Sequence, residues 1–305
     1  MYAARFDQLV ELRTKSASVL PYLTGTLYAA AMLDRFSLTN ALLLLIALLG
    51  IDLATTALNN LADAERVYGT VIIGGTRFAR KRVIRLIAGL LLVGTVAGLW
   101  LASRTGPVVL GLGAVSFLVG ILYSSGPLPL QRTPLGELLS GSLMGFGIVF
   151  LAVYVQTGND LVHVYFFNER FMLALDHREL FRVGLVSLPL AAAIANVMLA
   201  NNLCDRGQDL VNERYTLPVL LGKSRSLILF HSLYLLGGLS LLLAIILRAL
   251  PLRAVLLLPV WVLVMRGAVR FSRDPDKQRT FPLAVRNLVV IGLGLVLILL
   301  SRLIW

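Results

Sequence analysis

The chain has 305 residues, of which 58% are hydrophobic and only 14% charged, with a mean hydropathy of +0.84. That is too apolar for a soluble globule of this length and marks an integral membrane protein. The net charge of +12 would suit nucleic acid, but the basic residues fall in short connections between apolar runs, where they set membrane topology instead. A single cysteine, Cys204, leaves no intramolecular disulfide and no metal–thiolate spacing.

In chain order, apolar runs at about 17–33, 38–62, 83–103, 107–124, 134–156, 181–204, 225–248, 252–271 and 282–303 predict nine spans. Each approaches the ~20 helical residues that cross a hydrocarbon core about 30 Å thick. Runs this uniformly apolar do not alternate as barrel strands do, so the expected fold is an all-α, multi-pass helical bundle forming one domain over residues 1–305. The first run lacks a small-residue cleavage site and is too long for a signal-peptide core, so it reads as a retained span. The stretch 157–179, with aromatics, His163 and His177, reads as a cap or short interfacial helix.

With the amino terminus in the cytoplasm, 20 of the 28 Lys and Arg residues fall on the cytoplasmic side, as the positive-inside rule requires. The loops after spans two, four, six and eight then share that face. Two copies of one pentapeptide sit there: Asn59-Asn60-Leu61-Ala62-Asp63 and Asn201-Asn202-Leu203-Cys204-Asp205. They lie four spans apart, as a duplicated four-helix unit with a ninth helix added would place them.

Amide and carboxylate groups are costly at membrane depth, which makes each cluster a candidate site. In the second copy Asp209 follows Asp205 at i+4, so Asn201, Asp205 and Asp209 form one oxygen-bearing stripe on a helix. Carboxylates facing one another across a bundle suit Mg2+, which takes oxygen ligands and shares itself with substrate phosphates. Basic side chains nearby would bind the remaining phosphate oxygens. The plain alternative is that these acids mark the membrane boundary and pair with Arg66, Arg206 or Arg214. Two matching clusters on one face favour the site, and with it a lipid diphosphate substrate.

These residues resemble the UbiA superfamily of membrane prenyltransferases, whose two aspartate-rich motifs follow the second and sixth helices. The segment from Asn201 through Asp209 to Lys223 is similar to the second motif of the branch that prenylates 1,4-dihydroxy-2-naphthoate. So are Tyr123 to Leu130 with Pro134-Leu135-Gly136-Glu137, and Arg13 to Ser18 running into Leu20-Pro21. The first motif departs from the family pattern: Asn60 stands at its first acid, Asp63 matches the second, and Glu65 could replace the next only if the helix breaks before it.

The resemblance implies that Asp63, Asp205 and Asp209 hold Mg2+ on the diphosphate, supported by Asn59, Asn60, Asn201 and Asn202. It implies that Arg77, Lys81 and Arg132 contact phosphate oxygens, that Tyr123 lies near the reacting allylic carbon, and that Arg13, Lys15 and Glu137 line the acceptor pocket. Each basic residue has a plain reading as a topology charge, and Tyr123 as an interfacial tyrosine. The implied reaction transfers a polyprenyl group from polyprenyl diphosphate to dihydroxynaphthoate with loss of carbon dioxide and diphosphate, giving demethylmenaquinone at the cell membrane. Other aromatic acceptors, such as 4-hydroxybenzoate or a chlorophyll or haem precursor, are the nearest rivals. A secondary transporter fits less well, because its binding groups belong near the bilayer centre. His163, His177, His231 and Cys204 read as structural.

Overall fold

The computed structural model describes residues 2–67, 70–73, 75–124, 130–167 and 170–304; the side chains of Arg13, Asp63, Glu65 and Tyr123 lie outside the described set. Helix α1 (Tyr2–Val10) and a 3₁₀ turn (Leu12–Lys15) lead into α2 (Ser16–Leu33) and α3 (Leu38–Asp63). A three-stranded antiparallel sheet follows, β1 (Glu65–Val67), β2 (Thr70–Ile73) and β3 (Thr76–Ala79), then α4 (Arg80–Thr105) and α5 (Val108–Ser124). The next span is built from α6 (Gly136–Leu139), a π-helical segment (Ser140–Gly147) and α7 (Ile148–Thr157). After the hairpin of β4 (Val162–Phe167) and β5 (Arg170–Leu175) come α8 (His177–Val211), α9 (Leu217–Ile246), α10 (Leu257–Arg273) and α11 (Phe281–Ile304).

Among the described residues seven helical segments are long and apolar enough to cross a membrane. With α2 and the shorter α5 they coincide with the nine runs read from the sequence. Large apolar side chains such as Leu92, Trp100, Leu118, Leu239 and Leu297 face outward, as lipid-facing residues do. The stretch expected to form a cap or interfacial helix differs: it is the β4–β5 hairpin. Its β-branched and aromatic residues, Val162, Val164, Tyr165 and Phe166, favour strands.

The main core joins α2, α7, α8, α9, α10 and α11, with α2 packed against α7, α8 and α11. A smaller cluster joins Leu9 and Val10 of α1 to Ala54 and Ala57 of α3, Val71 and Ile73 of β2, and Val83 and Ile87 of α4. The amino-terminal helix is thereby pinned beside the end of α3.

Small residues bring α8 and the span before it together. A Cβ at Gly145 would sit 2.2 Å from Ala191 Cα, and one at Gly141 3.0 Å from the Ala191 carbonyl oxygen. This Gly-x-x-x-Gly spacing allows the close approach that membrane helices use in place of a hydrophobic driving force. At 35 residues α8 is roughly 52 Å long, well beyond the hydrocarbon core. Its final turns carry the second motif.

Candidate functional site

The second motif lies in the last three turns of α8 and faces three other parts of the chain. Asn201 and Asp205 meet as i,i+4 neighbours, the Asn201 amide donating to Asp205 Oδ2 at 3.3 Å. Asn202, one residue round the helix, is buried and donates to Glu137 Oε1 at 2.9 Å. The helix contact through Gly141 and Gly145 places Glu137 there, one turn below that seam. Glu137 is only 4% exposed, and its Oε2 has no hydrogen-bond partner among the described residues. A buried oxygen left this way is costly.

Asp209 is 5% exposed and accepts from the Thr216 hydroxyl at 3.1 Å. The chain turns back here: the Arg214 N–H donates to the Asp209 carbonyl at 2.8 Å, and the Tyr215 N–H donates to the Arg132 carbonyl at 2.9 Å. Arg206 Nε donates to the Pro218 carbonyl at 3.1 Å. Gly222, at φ 78°, breaks α9 just after its first turns, a conformation that glycine adopts at little steric cost. Residues 217–221 can thus fold over the end of α8 before the membrane-crossing part begins.

A cation completes the cluster. Lys277, in the connection between α10 and α11, contacts Asp205 Oδ2 and donates to Asn201 Oδ1 at 2.6 Å. Asp276 fixes that connection, accepting from the N–H groups of Arg279 at 2.7 Å and Gln278 at 3.0 Å. These backbone donors, Arg279 first, hold the Asp276 carboxyl below its ordinary pKa.

The first motif has different surroundings. Asn60 donates to the Leu9 carbonyl at 3.0 Å and to Glu11 Oε1 at 3.2 Å, so it is engaged by the amino-terminal segment. Helix α3 stops at Asp63, and Ala64 is extended at φ −73°, ψ 141°. The break that Glu65 requires is therefore present, at the start of β1. The Asp63, Glu65 and Tyr123 side chains on which the sequence reading leans lie outside the described residues. Asn59 is half-buried and engaged. Arg77 on β3, Lys81 in the first turn of α4 and Arg132 are exposed, on the connections after spans two and four.

Lys15 is buried, 7% exposed, and bonded to Asp52 Oδ1 at 2.8 Å and Thr56 Oγ1 at 2.6 Å. The Ser18 hydroxyl donates to the other Asp52 oxygen at 2.5 Å. The side chain of Arg13 lies outside the described residues. Sequence reasoning did not single out Asp52, Thr216 or Lys277. An ionisable residue within a span, such as Asp52, is a signal the sequence carries, as is the parity that puts Lys277 on the face of both motifs. The histidines have plain roles: His231 Nε2 lies 2.8 Å from Ser272 Oγ, and His163 packs on Tyr165.

Among the described residues no three of His, Cys, Asp and Glu gather as a metal-binding group. What the cluster offers is an all-oxygen face, Asn201, Asp205 and Asp209, with one cation already seated on two of its atoms. Such a face suits a hard cation by its donor chemistry.

Solved structures share this architecture. A UbiA homologue from Aeropyrum pernix K1 superposes with a TM-score of 0.65 at 18% identity, covering 93% of this chain and 98% of that one. A UbiA homologue from Archaeoglobus fulgidus, solved bound to DMAPP and Mg2+, gives 0.57 at 14% identity, covering 96% of this chain and 99% of that one. Among curated proteins, a 1,4-dihydroxy-2-naphthoate octaprenyltransferase from Bacillus subtilis (strain 168) is 29% identical over 70% of this chain, a match that spans 65% of that relative's length. One of the same description from Mycobacterium tuberculosis (strain ATCC 25618 / H37Rv) is also 29% identical, over 74% of this chain and 73% of its own. The sequence model of the UbiA prenyltransferase family matches residues 18–291. A bundle of apolar helices ending in paired amide–carboxylate motifs, matched over nearly its whole length, places this chain in the UbiA prenyltransferase family.

Proposed function

We propose that the protein transfers a polyprenyl group from polyprenyl diphosphate to 1,4-dihydroxy-2-naphthoate, with release of diphosphate and carbon dioxide, yielding the hydroquinone demethylmenaquinol, which a separate two-electron oxidation converts to demethylmenaquinone. The observation that carries this reading is the junction at the end of α8. There the oxygen stripe of Asn201, Asp205 and Asp209 abuts a buried acid, Glu137, through Asn202. One side suits a cation and diphosphate, the other an uncharged polar acceptor group. The names of the 29%-identical relatives supply the acceptor.

The residues fit Mg2+: their donors are oxygens, and Asn201 Oδ1 and Asp205 Oδ2 already converge on one positive charge, the Lys277 ammonium. Asp205 and Asp209, with Asp63 from α3, would hold it. When bound, the ion neutralises charge on the diphosphate as that group departs. Asn59 and Asn60 would support the first motif and Asn201 and Asn202 the second, while Arg77, Lys81 and Arg132 attract the substrate's remaining phosphate charge. The allylic C–O bond breaks with its electron pair leaving on diphosphate. Tyr123 would face the resulting allylic cation with its ring.

The ring carbon bearing the carboxylate then bonds to the prenyl carbon. Loss of carbon dioxide returns the C–C electron pair to the ring and restores aromaticity. Glu137, with an oxygen free beside Asn202, would accept a hydrogen bond from an acceptor hydroxyl; Arg13 and Lys15 belong to the acceptor side. Helices α2, α7 and α8 pack into one apolar core, and exclusion of water beside it would protect the cation from hydrolysis. The site opens at the cytoplasmic face under this reading, and the isoprenoid tail stays among apolar helices or lipid.

The test is purified protein with Mg2+, a polyprenyl diphosphate and a panel of aromatic acids. Prenylated, decarboxylated product from dihydroxynaphthoate is expected. Product only from 4-hydroxybenzoate would reassign the acceptor, and diphosphate-independent solute movement across vesicles would overturn the enzyme reading.

A further inference from the structure

Lys277 is 72 residues from Asp205 in sequence, on a connection that no part of the proposed chemistry uses. It nevertheless reaches the centre of the second motif. Its ammonium binds the same two oxygens, Asn201 Oδ1 and Asp205 Oδ2, that the i,i+4 stripe presents to a cation. The connection is built to aim it there. Asp276 Oδ1 accepts from the backbone of Gln278 and Arg279, while the Asp276 N–H donates to Thr280 Oγ1 at 2.9 Å and Thr280 Oγ1 donates to the Asp274 carbonyl at 2.7 Å. The neighbouring cation, Arg279, is turned to Asp274 and Asp276 instead. Lys277 also lies 5.5 Å from the centre of the Phe281 ring, a contact that favours this position for a positive charge.

We infer that Lys277 is a resident counter-cation of the diphosphate site: it holds the Asn201–Asp205 oxygens while the site is empty and transfers to the diphosphate when a divalent ion takes those oxygens. This rests on the proposed reading of Asp205 as a metal ligand. Three physical points carry it. A divalent ion and an ammonium cannot share the same carboxylate oxygen without strong repulsion, so loading requires Lys277 to move. Its side chain is 45% exposed, and lysine is a point charge on a flexible stem, able to leave where a bidentate arginine fork would resist. The arriving diphosphate brings the negative charge that accepts the displaced ammonium. Ion and diphosphate are thereby coupled: each binds better when the other is present, and the coupling is reciprocal. The empty site resists a metal ion alone.

The experiment is Mn2+ binding to the purified full chain by electron paramagnetic resonance, without and with inorganic diphosphate. Wild type is expected to bind Mn2+ weakly alone and more tightly with diphosphate. In Lys277→Met and Lys277→Gln, Mn2+ alone should bind about threefold more tightly, within the range for removing a part-exposed ion pair. The enhancement by diphosphate should shrink by a comparable factor. Lys277→Arg keeps the charge in a fork that resists displacement, so Mn2+ alone should bind no more tightly than in wild type. Affinities that fall together, as for a merely structural residue, or that do not move, would overturn the inference. If wild type fails to retain Mn2+ even with diphosphate and Asp205→Asn behaves identically, the metal-site reading falls and takes this inference with it. A Mn2+ site lost in Asp205→Asn but indifferent to Lys277 overturns the inference alone.

Discussion

The two Asn-Asn-Leu-x-Asp helix ends share a pentapeptide but not a neighbourhood. Helix α3 stops at Asp63 and the chain leaves as a strand, while α8 runs on to Val211 and adds Asp209 on the same stripe. Asn60 is spent on the amino-terminal segment, whereas Asn202 reaches a buried glutamate from another span and Asp205 a lysine from the last connection. One helix end therefore carries its acids as a local pattern, and the other depends on the chain that turns back upon it. The difference teaches that equal motifs need not meet equal surroundings: on the proposed reading the second is the main cation face and the first its complement.

That asymmetry can be broken directly. Asp205→Asn and Asp209→Asn should each lower prenyl transfer by roughly 100-fold or more while the protein still inserts, because they remove charge that organises the departing diphosphate; near-full turnover in both would refute the assignment. Next in size is the deep pair below the first motif. Lys15→Met leaves the part-buried Asp52 carboxylate with Ser18 alone, and thermal unfolding in detergent should register a loss of about 3 kcal/mol. The double variant Lys15→Met/Asp52→Leu should recover most of it; no recovery would show that the pair matters for more than charge compensation.

Smaller changes sharpen the comparison. Glu137→Gln keeps the Asn202 contact but removes the free carboxylate oxygen, so the KM for the aromatic acceptor should rise by about tenfold with little change in that for the diphosphate, the cost of one charge-assisted hydrogen bond. Equal effects on both substrates would place Glu137 in the scaffold instead. Asn60→Ala should cost about 1 kcal/mol of stability and only a few-fold in turnover. If Asn60→Ala proved as damaging as Asp205→Asn, the two ends would have to be treated as equivalent. Smallest is the connection that carries Lys277. With its folded pKa depressed by backbone donors, Asp276 contributes order to that connection above its unfolded pKa of about 3.9, and this contribution is lost as pH falls through the lower folded value. Hydrogen exchange at Gln278 and Arg279 should stay slow near neutrality and quicken in Asp276→Asn.

Much of this was legible because it is local. Span positions follow from runs of apolar residues, and most helices start and stop within a few residues of those runs, although α8 continues to Val211 past the run ending at 204 and α9 begins at Leu217 ahead of the run starting at 225. The Asn201–Asp205 contact follows from helical spacing alone. The hairpin at 162–175 was missed because short amphipathic stretches at a membrane surface satisfy a helix or a hairpin equally well until pairing is known. Asp52 was passed over because nothing near it in sequence balances its charge; Lys15 lies 37 residues away.

By itself, then, the sequence determined that the chain is a bundle of membrane helices with two acid-bearing ends on one face, since burial in lipid and helical periodicity act within a single segment. Only the tertiary structure decided which groups those ends meet. Glu137 joins Asn202 across 65 residues and Lys277 joins Asp205 across 72, contacts set by how closely glycine-lined helices approach and where the connections fold back. Such distances through the chain carry no sequence period, so packing alone selects them.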